Sequence, residues 1–291
     1  MCGFNLPLVF NRVDRFRIPS RYGICVRCGH IYQCNPLTEV ELDRFYGTNE
    51  YRQLYTGGCT PEQHIVKATP KEDKVTPLFE LSEKYLSKNG AVLDWGCSGG
   101  WNLVPFASRG YRTLGIDVGE DYLKAGRELL GLDLRPINQD TLTAARQFEP
   151  DVVLINHVLE HVGDPRITLL QIMGVCTTDT VLVVGLPTLE SLPDYGYRNF
   201  FTVAHINYFT VCSFSWLASQ VGFRVVEWQR THGGVTFVLK IGYGQEERIR
   251  WSEAPRNLLI ITRYWLNFRM RTMAKSLLAV IGLDGVFRRT K

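Results

Sequence analysis

A run of small residues follows a buried apolar segment in the first half of the chain, and carboxylates flank it. The run 92–100 fits the pattern Asp-x-Gly-x-x-x-Gly, from Asp94 to Gly100. Small residues at the start of a helix let a ligand approach free backbone N–H groups. A second apolar segment ends at Asp117, about 20 residues on, where a carboxylate is placed to hold a ribose diol. These two segments predict a site for a ribose-containing ligand.

Two other nucleotide-binding patterns do not fit this glycine run. The dinucleotide fingerprint needs glycine where Ser98 and Trp101 stand, and the bulk of Trp101 would prevent close packing of helix on strand. The phosphate loop of nucleotide triphosphatases needs a Gly-Lys-Ser/Thr sequence, which does not follow. We therefore exclude both classes of site here.

Three histidines in the second half of the chain could move protons or bind a metal. His157 and His161 are four residues apart, but the zinc-protease pattern requires glutamate where Val158 stands, so we do not expect this pair to bind zinc. His205 lies in the aromatic stretch 200–210. A histidine with an unperturbed pKa of about 6.5 suits the removal of a hydroxyl proton. We predict that His205 is a general base; the alternative is a loop-capping or substrate-binding role without proton transfer.

Cysteines near the start of the chain have metal-ligand spacing. Cys25 and Cys28 form a C-x-x-C-G segment of the zinc-knuckle type, in which a tight turn presents two thiolates to one metal. Four ligands are needed; Cys2 is the third candidate, and Cys34 or His30 could supply the fourth. A second complete knuckle would begin before the first residue, so either the start is truncated or the site is degenerate. The alternatives are zinc binding and a small lobe with reduced thiols.

The segments that must position these residues alternate as in an α/β protein. The apolar runs are Ala91–Trp95, Thr113–Ile116, Val152–Ile155, Val181–Leu186, Phe223–Trp228 and Val235–Ile241. Helix-length stretches separate the first five, and this alternation predicts a parallel sheet covered on both faces. Only 231–234 joins the last two runs, which predicts an antiparallel hairpin. Apolar spacing also predicts helices over 71–89 and 212–221.

Composition excludes several classes of protein. With 45% hydrophobic and 21% charged residues, the 291-residue chain is globular rather than disordered, collagen-like or coiled-coil. No apolar run approaches the ~20 residues that span a bilayer. Residues 246–291 hold ten basic and four acidic side chains, so the rest of the chain is slightly acidic despite a net charge of +4. We therefore expect no nucleic-acid partner and, because the start is a poor signal peptide, a cytoplasmic location.

Changes in composition and apolar periodicity along the chain predict three parts. These are a cysteine-bearing lobe over 1–60, an α/β domain over 70–244, and a basic helical tail over 245–291. The tail places aromatic and aliphatic residues beside arginines. Such a helix suits the anionic inner face of a membrane, as a peripheral contact, and equally suits packing on the α/β domain with its arginines solvated.

Residues 70–241 resemble the class I S-adenosylmethionine-dependent methyltransferases. The segments that carry the likeness are VLDWGCSGG, GIDVGEDYL, NQDTL and INHVLEHVGDP. The resemblance implies a Rossmann-like, seven-stranded, mostly parallel sheet that ends in an antiparallel hairpin, with S-adenosylmethionine as cofactor. The residues it implies around that cofactor are Asp94, Gly96, Cys97, Ser98, Gly100, Asp117, Asp140, Asn156 and His157. Within this set Asp94 and the glycine loop would hold the methionine part, Asp117 the ribose and Asp140 the adenine, while Asn156 and His157 would line the open side.

The stretch that begins at His205 is similar to the H-x-x-Y-F-[ST] segment of sugar and other small-molecule methyltransferases from polysaccharide gene clusters. These enzymes often begin with zinc knuckles. The likeness favours a sugar hydroxyl as acceptor, with His161 and Tyr208 in contact with the substrate; a structural role for His161 is the alternative. Some carbon-methylating members carry tyrosine where Thr202 stands, which favours methylation on oxygen. The alternatives are a quinone or other lipid-like phenol as acceptor, and a catalytically silent cofactor-binding scaffold in a glycan-synthesis complex.

Overall fold

A computed structural model gives the protein a seven-stranded sheet with helices on both faces. It describes residues 7–13, 18–38, 40–41, 45, 57–71, 76–195, 197–231, 233–242 and 253–280. The strands of this sheet are β4 (Ala91–Trp95), β5 (Arg112–Asp117), β6 (Leu134–Pro136), β7 (Val152–Asn156), β8 (Val181–Leu186), β10 (Phe223–Thr231) and β11 (Gly234–Ile241). Their order across the sheet is β10-β11-β8-β7-β4-β5-β6.

The sheet is parallel except at one end. Strands β4 to β8 pair in parallel, whereas β11 runs antiparallel to both β8 and β10. The predicted Rossmann-like sheet and its terminal hairpin are therefore confirmed. Strand β6 is the one strand of this sheet that no apolar run predicted, because it is a three-residue edge strand in which Leu134 alone is buried.

Helices connect the strands of the two sheets. Their bounds are α1 (Pro61–Ala68), α2 (Pro77–Glu83), α3 (Val104–Ala107), α4 (Glu120–Leu130), α5 (Gln139–Gln147), α6 (Pro165–Met173), α7 (Leu192–Tyr195), α8 (Tyr197–Phe200) and α9 (Val211–Gln220). The helix predicted over 71–89 is shorter than expected, since Thr76 caps its first turn and the helix ends at Glu83. The helix predicted over 212–221 matches α9, which Thr210 caps.

A smaller antiparallel sheet joins the start of the chain to its middle. Its strands are β1 (Pro7–Val13), β2 (Pro19–Cys25), β3 (Ile31–Gln33) and β9 (Asn207–Tyr208), in the order β1-β2-β3-β9. Because β9 belongs to the connection that follows β8, the cysteine-bearing lobe shares a sheet with the α/β domain. The two parts that the sequence predicted as separate domains are thus packed together through a common core.

The predicted helical tail is α10 (Glu253–Val280), and its first turns pack on this small sheet. Ala254 and Ile261 are buried in the same core as Tyr22, and Asn257 donates a hydrogen bond to the Gly29 carbonyl. The exposed face of α10 carries the large apolar side chains Leu259, Leu266, Met270 and Met273. None of the helices in the described ranges is both long and apolar enough to cross a bilayer.

Candidate functional site

The glycine loop lies where β4 ends, at the carboxyl edge of the parallel strands. Gly96 and Gly100 have φ angles of +79° and +82°, and Ser98 adopts φ +52° between them. Such conformations favour glycine and are uncommon for other residues, so this loop is locally strained. The N–H groups of Gly96 and Cys97 donate to the Ile116 carbonyl and fix the loop against β5. Ligands of parallel α/β sheets bind at this edge.

Asp94 is a fully buried carboxylate directly beneath the loop. Its Oδ2 accepts a long hydrogen bond of 3.4 Å from Asn102 Nδ2, and its Oδ1 accepts none from any described residue. Burial raises the pKa of Asp94 to about 7, although the hydrogen bond from Asn102 works in the opposite direction; the charge of Asp117 adds to the rise. A buried carboxylate oxygen that lacks a partner needs a donor, and the ammonium group of a ligand would supply one.

Asp117 is the last residue of β5, and both of its carboxylate oxygens accept backbone hydrogen bonds. Oδ2 accepts from Ser98 N at 2.7 Å and Oδ1 from Gly119 N at 2.8 Å. The carboxylate is half-buried and tied to the glycine loop. Asp140 lies in the first turn of α5, after β6, with its side chain exposed at the same edge of the sheet.

Helix α1 forms a wall of this region that sequence reasoning missed. Ile65 is buried against Gly99, where an added methyl group would overlap its side chain. His64 hydrogen-bonds Tyr122 Oη at 3.0 Å and lies against the ring of Trp101. The only sequence signal was the capping box of Thr60 and Gln63, which predicts a helix but not where the helix packs.

The turn after β7 lies against both the glycine loop and β8. Val158 packs on Gly96, where a methyl group could not be added without overlap, and Asn156 packs on Gly185 in the same way. His157 has φ +56°, and its N–H donates to the Gly185 carbonyl. The predicted role of Asn156 and His157 in lining the open side of the cofactor stays a prediction.

Three side chains converge beyond this turn: Glu160, His161 and His205. One ligand-type atom from each lies within 4.8 Å of the others. The rings of His161 and His205 meet edge to face, with centroids 4.8 Å apart. The sequence placed both histidines near the site, but it gave no indication that Glu160 joins them.

Glu160 is the buried centre of this cluster, which we call the Glu160 cluster. Its side chain is 0% exposed, and Oε1 accepts from His157 Nδ1 at 3.1 Å. Burial alone would raise the pKa of Glu160, but the hydrogen bond from His157 and the charges of the surrounding histidines bring it to about 2. The side chain of His157 is partly exposed, and its hydrogen bond to the buried Glu160 raises the pKa of that ring.

The predicted substrate residue Tyr208 lies elsewhere than expected. It is buried in the core of the small sheet, where Oη donates to the Thr202 carbonyl at 2.8 Å and accepts from Thr202 N at 3.0 Å. This placement corrects the prediction of a substrate contact, since both hydrogen-bonding functions of the hydroxyl serve the loop that carries His205. Phe200, Phe201 and Phe209 are buried too, so the aromatic stretch forms core.

The cysteine segment forms a tight turn between β2 and β3. Gly29 N donates to the Cys25 carbonyl, and Cys25 and Cys28 are both buried. His30 is buried with its Nε2 on Asn207 Oδ1, and burial lowers the pKa of His30 to about 3. Cys2 lies outside the described residues, and among those described only the Glu160 cluster brings three potential metal ligands together. Zinc at the cysteines stays a prediction.

The region around the glycine loop fits the polar ends of S-adenosylmethionine. Asp94 Oδ1 and Ser98 Oγ are buried polar atoms that bond no described residue. They lie at the carboxyl end of β4 and in the glycine loop that follows it, with Asp117 at the end of the neighbouring strand β5. Asp94 would hold the ammonium group, Ser98 the carboxylate and Asp117 the ribose hydroxyls. Cys97 packs its side chain towards Gly115, so it can offer only its backbone.

Comparison with known proteins gives the same class. A family described as "Methyltransferase domain" matches residues 68–228. The ubiquinone biosynthesis O-methyltransferase of Stutzerimonas stutzeri is 33% identical over 121 residues, which cover 37% of this chain and 50% of the relative. Its counterpart in Psychrobacter cryohalolentis is 33% identical over 143 residues, 40% of this chain and 55% of the relative. This chain therefore spans about half the length of these relatives.

Solved structures show the likeness in fold. The 1,6-didemethyltoxoflavin-N1-methyltransferase of Burkholderia thailandensis, solved with bound S-adenosylhomocysteine, is similar with a TM-score of 0.50 and 15% identity. The similarity covers 73% of this chain and 96% of that one.

Proposed function

We propose that this chain, which belongs to the methyltransferase-domain family and is a class I S-adenosylmethionine-dependent methyltransferase, methylates a hydroxyl oxygen of a small-molecule or glycan acceptor. The observation that carries the proposal is the position of the Glu160 cluster. The turn that leads to it packs on the glycine loop through Val158 and Gly96. The segment that carries Glu160 and His161 is thus tied, within three residues of the chain, to the loop that would hold the cofactor.

Bound S-adenosylmethionine supplies an electrophilic methyl group on a positively charged sulfur. With the cofactor bound, the acceptor oxygen would gain this methyl group and lose its proton, and the sulfur would remain as a neutral thioether. Positioning of the acceptor supplies much of the rate, up to ~7–11 kcal/mol of the barrier. The protein must still receive the proton, and we propose that an imidazole nitrogen of His205 accepts it.

Glu160 favours this role electrostatically. A buried carboxylate stabilises the imidazolium that forms when a neighbouring ring takes up a proton, because attraction between charges is strong where water is excluded. The ring of His161 lies between the carboxylate and the segment that carries His205, and its Nδ1 bonds the Ala204 carbonyl at 2.9 Å. The contact holds the two histidine-bearing segments together.

A sugar hydroxyl is the acceptor that we favour. The aromatic side chains of the 200–210 connection are used in the core, and the described groups that converge at the Glu160 cluster are two imidazoles and a carboxylate. Such groups suit hydrogen bonds to a polyhydroxyl ligand more than stacking on a flat ring. Sequence similarity to the ubiquinone O-methyltransferases supports a phenolic acceptor as the second candidate.

A methyl-transfer assay with labelled S-adenosylmethionine separates these acceptors. The screen would include nucleotide sugars, lipid-linked glycans and hydroquinone or catechol acceptors. We expect label on a sugar oxygen. If label were found only on phenols, the acceptor would be a phenol and not a sugar. Cofactor binding without transfer to any hydroxyl compound would contradict the proposal and favour the silent scaffold.

The His205→Asn variant tests the base. Loss of a general base lowers turnover by roughly 10²–10⁴-fold, and binding of S-adenosylmethionine should stay nearly unchanged. Lys84→Gln, which alters an exposed side chain paired with Glu227, is the control and should keep normal turnover. A loss below tenfold for His205→Asn would reduce this residue to a positioning role.

A further inference from the structure

The three ligand-type atoms of the Glu160 cluster are close enough to share one metal ion. They lie within 4.8 Å of one another, and His161 Nε2 is 3.8 Å from Glu160 Oε1. Two ligands of a tetrahedral ion with bonds of about 2.0–2.1 Å are about 3.4 Å apart. To bind one ion, the ligand atoms would therefore have to approach one another by at most about 1.4 Å.

His161 is held in the tautomer that a metal requires. A carbonyl oxygen can only accept a hydrogen bond, so the 2.9 Å contact with Ala204 O places the proton of the neutral ring on Nδ1. Nε2 then carries the lone pair, and Nε2 is the atom that faces Glu160 Oε1. Metal-bound histidines commonly donate their second N–H to a carbonyl or carboxylate in this way.

Glu160 is built into the cluster from both sides. Its own carbonyl accepts hydrogen bonds from Ile206 N at 2.7 Å and Asn207 N at 3.0 Å, so its backbone is tied to the segment that carries His205. Glu160 Oε1 accepts a hydrogen bond from His157 Nδ1. Metal-binding carboxylates are commonly held by a hydrogen bond of this kind from a residue that does not itself touch the metal. Oε2 is buried and accepts no hydrogen bond within the described part of the chain. A buried carboxylate oxygen of this kind requires a positive partner.

The donor set selects the kind of metal. Two imidazoles and one carboxylate suit zinc and related first-row transition ions, whereas magnesium and calcium prefer an all-oxygen shell. Three protein ligands also leave a position open for a water or a substrate oxygen, as in catalytic zinc sites. We propose that Glu160, His161 and His205 bind one divalent transition-metal ion of the zinc type.

The chemical use of this ion rests on the proposed function. An acceptor oxygen at the open position would have its hydroxyl pKa lowered by the metal, and its proton would leave to solvent water. A nitrogen of His205 that binds the metal cannot also accept a proton. His205 would therefore act as the base in the metal-free enzyme and as a ligand in the metal-loaded enzyme, and the two states respond differently to removal of the metal.

Cobalt(II) gives a direct test with the full chain. The metal-free protein, prepared with a chelator, would be titrated with Co²⁺ alone, followed by absorption and by elemental analysis, and then challenged with Zn²⁺. We expect one tight site per chain, displaced by zinc, without a sulfur-to-metal charge-transfer band. Glu160→Gln and His205→Asn should each weaken binding by at least about 100-fold, beyond the 10–100-fold typical of outer-shell changes.

Two controls separate this site from others. The Cys25→Ser/Cys28→Ser double variant removes the thiolates, and His64→Gln removes a histidine outside the cluster; both should keep the cobalt site. Glu160→Gln and His205→Asn change different segments, so one of them still tests the site if the other fails to fold. Circular dichroism would show whether each variant folds. The proposal would be overturned if cobalt did not bind, if both cluster variants bound cobalt as tightly as wild type, or if the spectrum showed a sulfur-to-metal band that disappeared with the cysteines.

Activity separates the metal site from the proposed reaction. If the metal-free enzyme methylates a hydroxyl acceptor as fast as the zinc-loaded enzyme, His205 acts as a base, and the proposed catalytic use of the metal is wrong while the proposed function stands. If the zinc-loaded enzyme methylates no hydroxyl acceptor, the proposed function fails, whereas the cobalt titration still decides whether the metal site exists.

Discussion

Asp94→Asn should change cofactor binding and protein stability in opposite directions. The carboxylate is 0% exposed, and burial raises its pKa to about 7. At pH 8 the wild-type protein therefore carries a buried negative charge whose Oδ1 has no described partner. The amide of Asn is isosteric and neutral, so it removes that charge together with its attraction for the ammonium group of S-adenosylmethionine.

The expected magnitudes follow from the pKa. Binding of an ammonium group favours ionised Asp94, so wild-type affinity should fall about tenfold per pH unit below 7, or about 100-fold between pH 8 and pH 5. Asp94→Asn should bind about 10–100-fold more weakly at pH 8, since it loses a charge-assisted bond of roughly 1.5–3 kcal/mol. Its affinity should hardly change with pH, and the two proteins should converge near pH 5.

Stability should respond with the opposite sign. The pKa of Asp94 rises from 3.8 to about 7 on folding, so the folded chain keeps a proton that the unfolded chain releases in this range. This contribution favours folding at low pH and is lost as pH rises through 7. Without cofactor at pH 8, Asp94→Asn should therefore raise the free energy of unfolding by up to about 4 kcal/mol.

Calorimetric titration with S-adenosylmethionine from pH 5 to 8, with denaturant melts of the cofactor-free protein, measures both effects. Asp121→Asn, an exposed carboxylate in the first turn of α4, is the control and should match wild type. If the affinity for S-adenosylmethionine changed with pH in the same way in wild type and Asp94→Asn, the proposed pairing of Asp94 with the ammonium group would be refuted. A less stable variant at pH 8 would refute the argument from buried charge.

Three further outcomes are expected. Asp117→Ala should weaken S-adenosylmethionine binding at least 100-fold in calorimetry, because two charged hydrogen bonds of roughly 1.5–3 kcal/mol each are lost; unchanged affinity would exclude Asp117 as the ribose ligand. Gly96→Ala and Gly110→Ala replace glycines of similar positive φ, but only Gly96 touches Val158. Melts should show Gly96→Ala to be the less stable by roughly 1–3 kcal/mol, and equal losses would contradict the close packing. Vesicle sedimentation should show that the exposed arginines of α10 favour anionic lipid, and binding indifferent to lipid charge would exclude them as a membrane contact.

The sequence alone determined the α/β sheet and the cofactor class. Strands such as Ala91–Trp95 and Val181–Leu186 are continuous apolar runs because both of their faces are buried, so their bounds could be read directly. The positions of the glycine loop after β4 and of Asp117 at the end of β5 were predictable for a related reason, whereas their roles in cofactor binding stay predictions. A loop that approaches a ligand and a carboxylate at a strand end are local features, and their spacing is set by one strand–helix unit.

Only the tertiary structure decided how the distant segments meet. His161 bonds Ala204, 43 residues away in sequence, and β3 pairs with β9 across the whole α/β domain. Such contacts leave no periodic pattern, so the role of Glu160 and the burial of Tyr208 could not be predicted. The Glu160 cluster exists because the connection after β8 folds back over the turn after β7, and neither segment specifies the other.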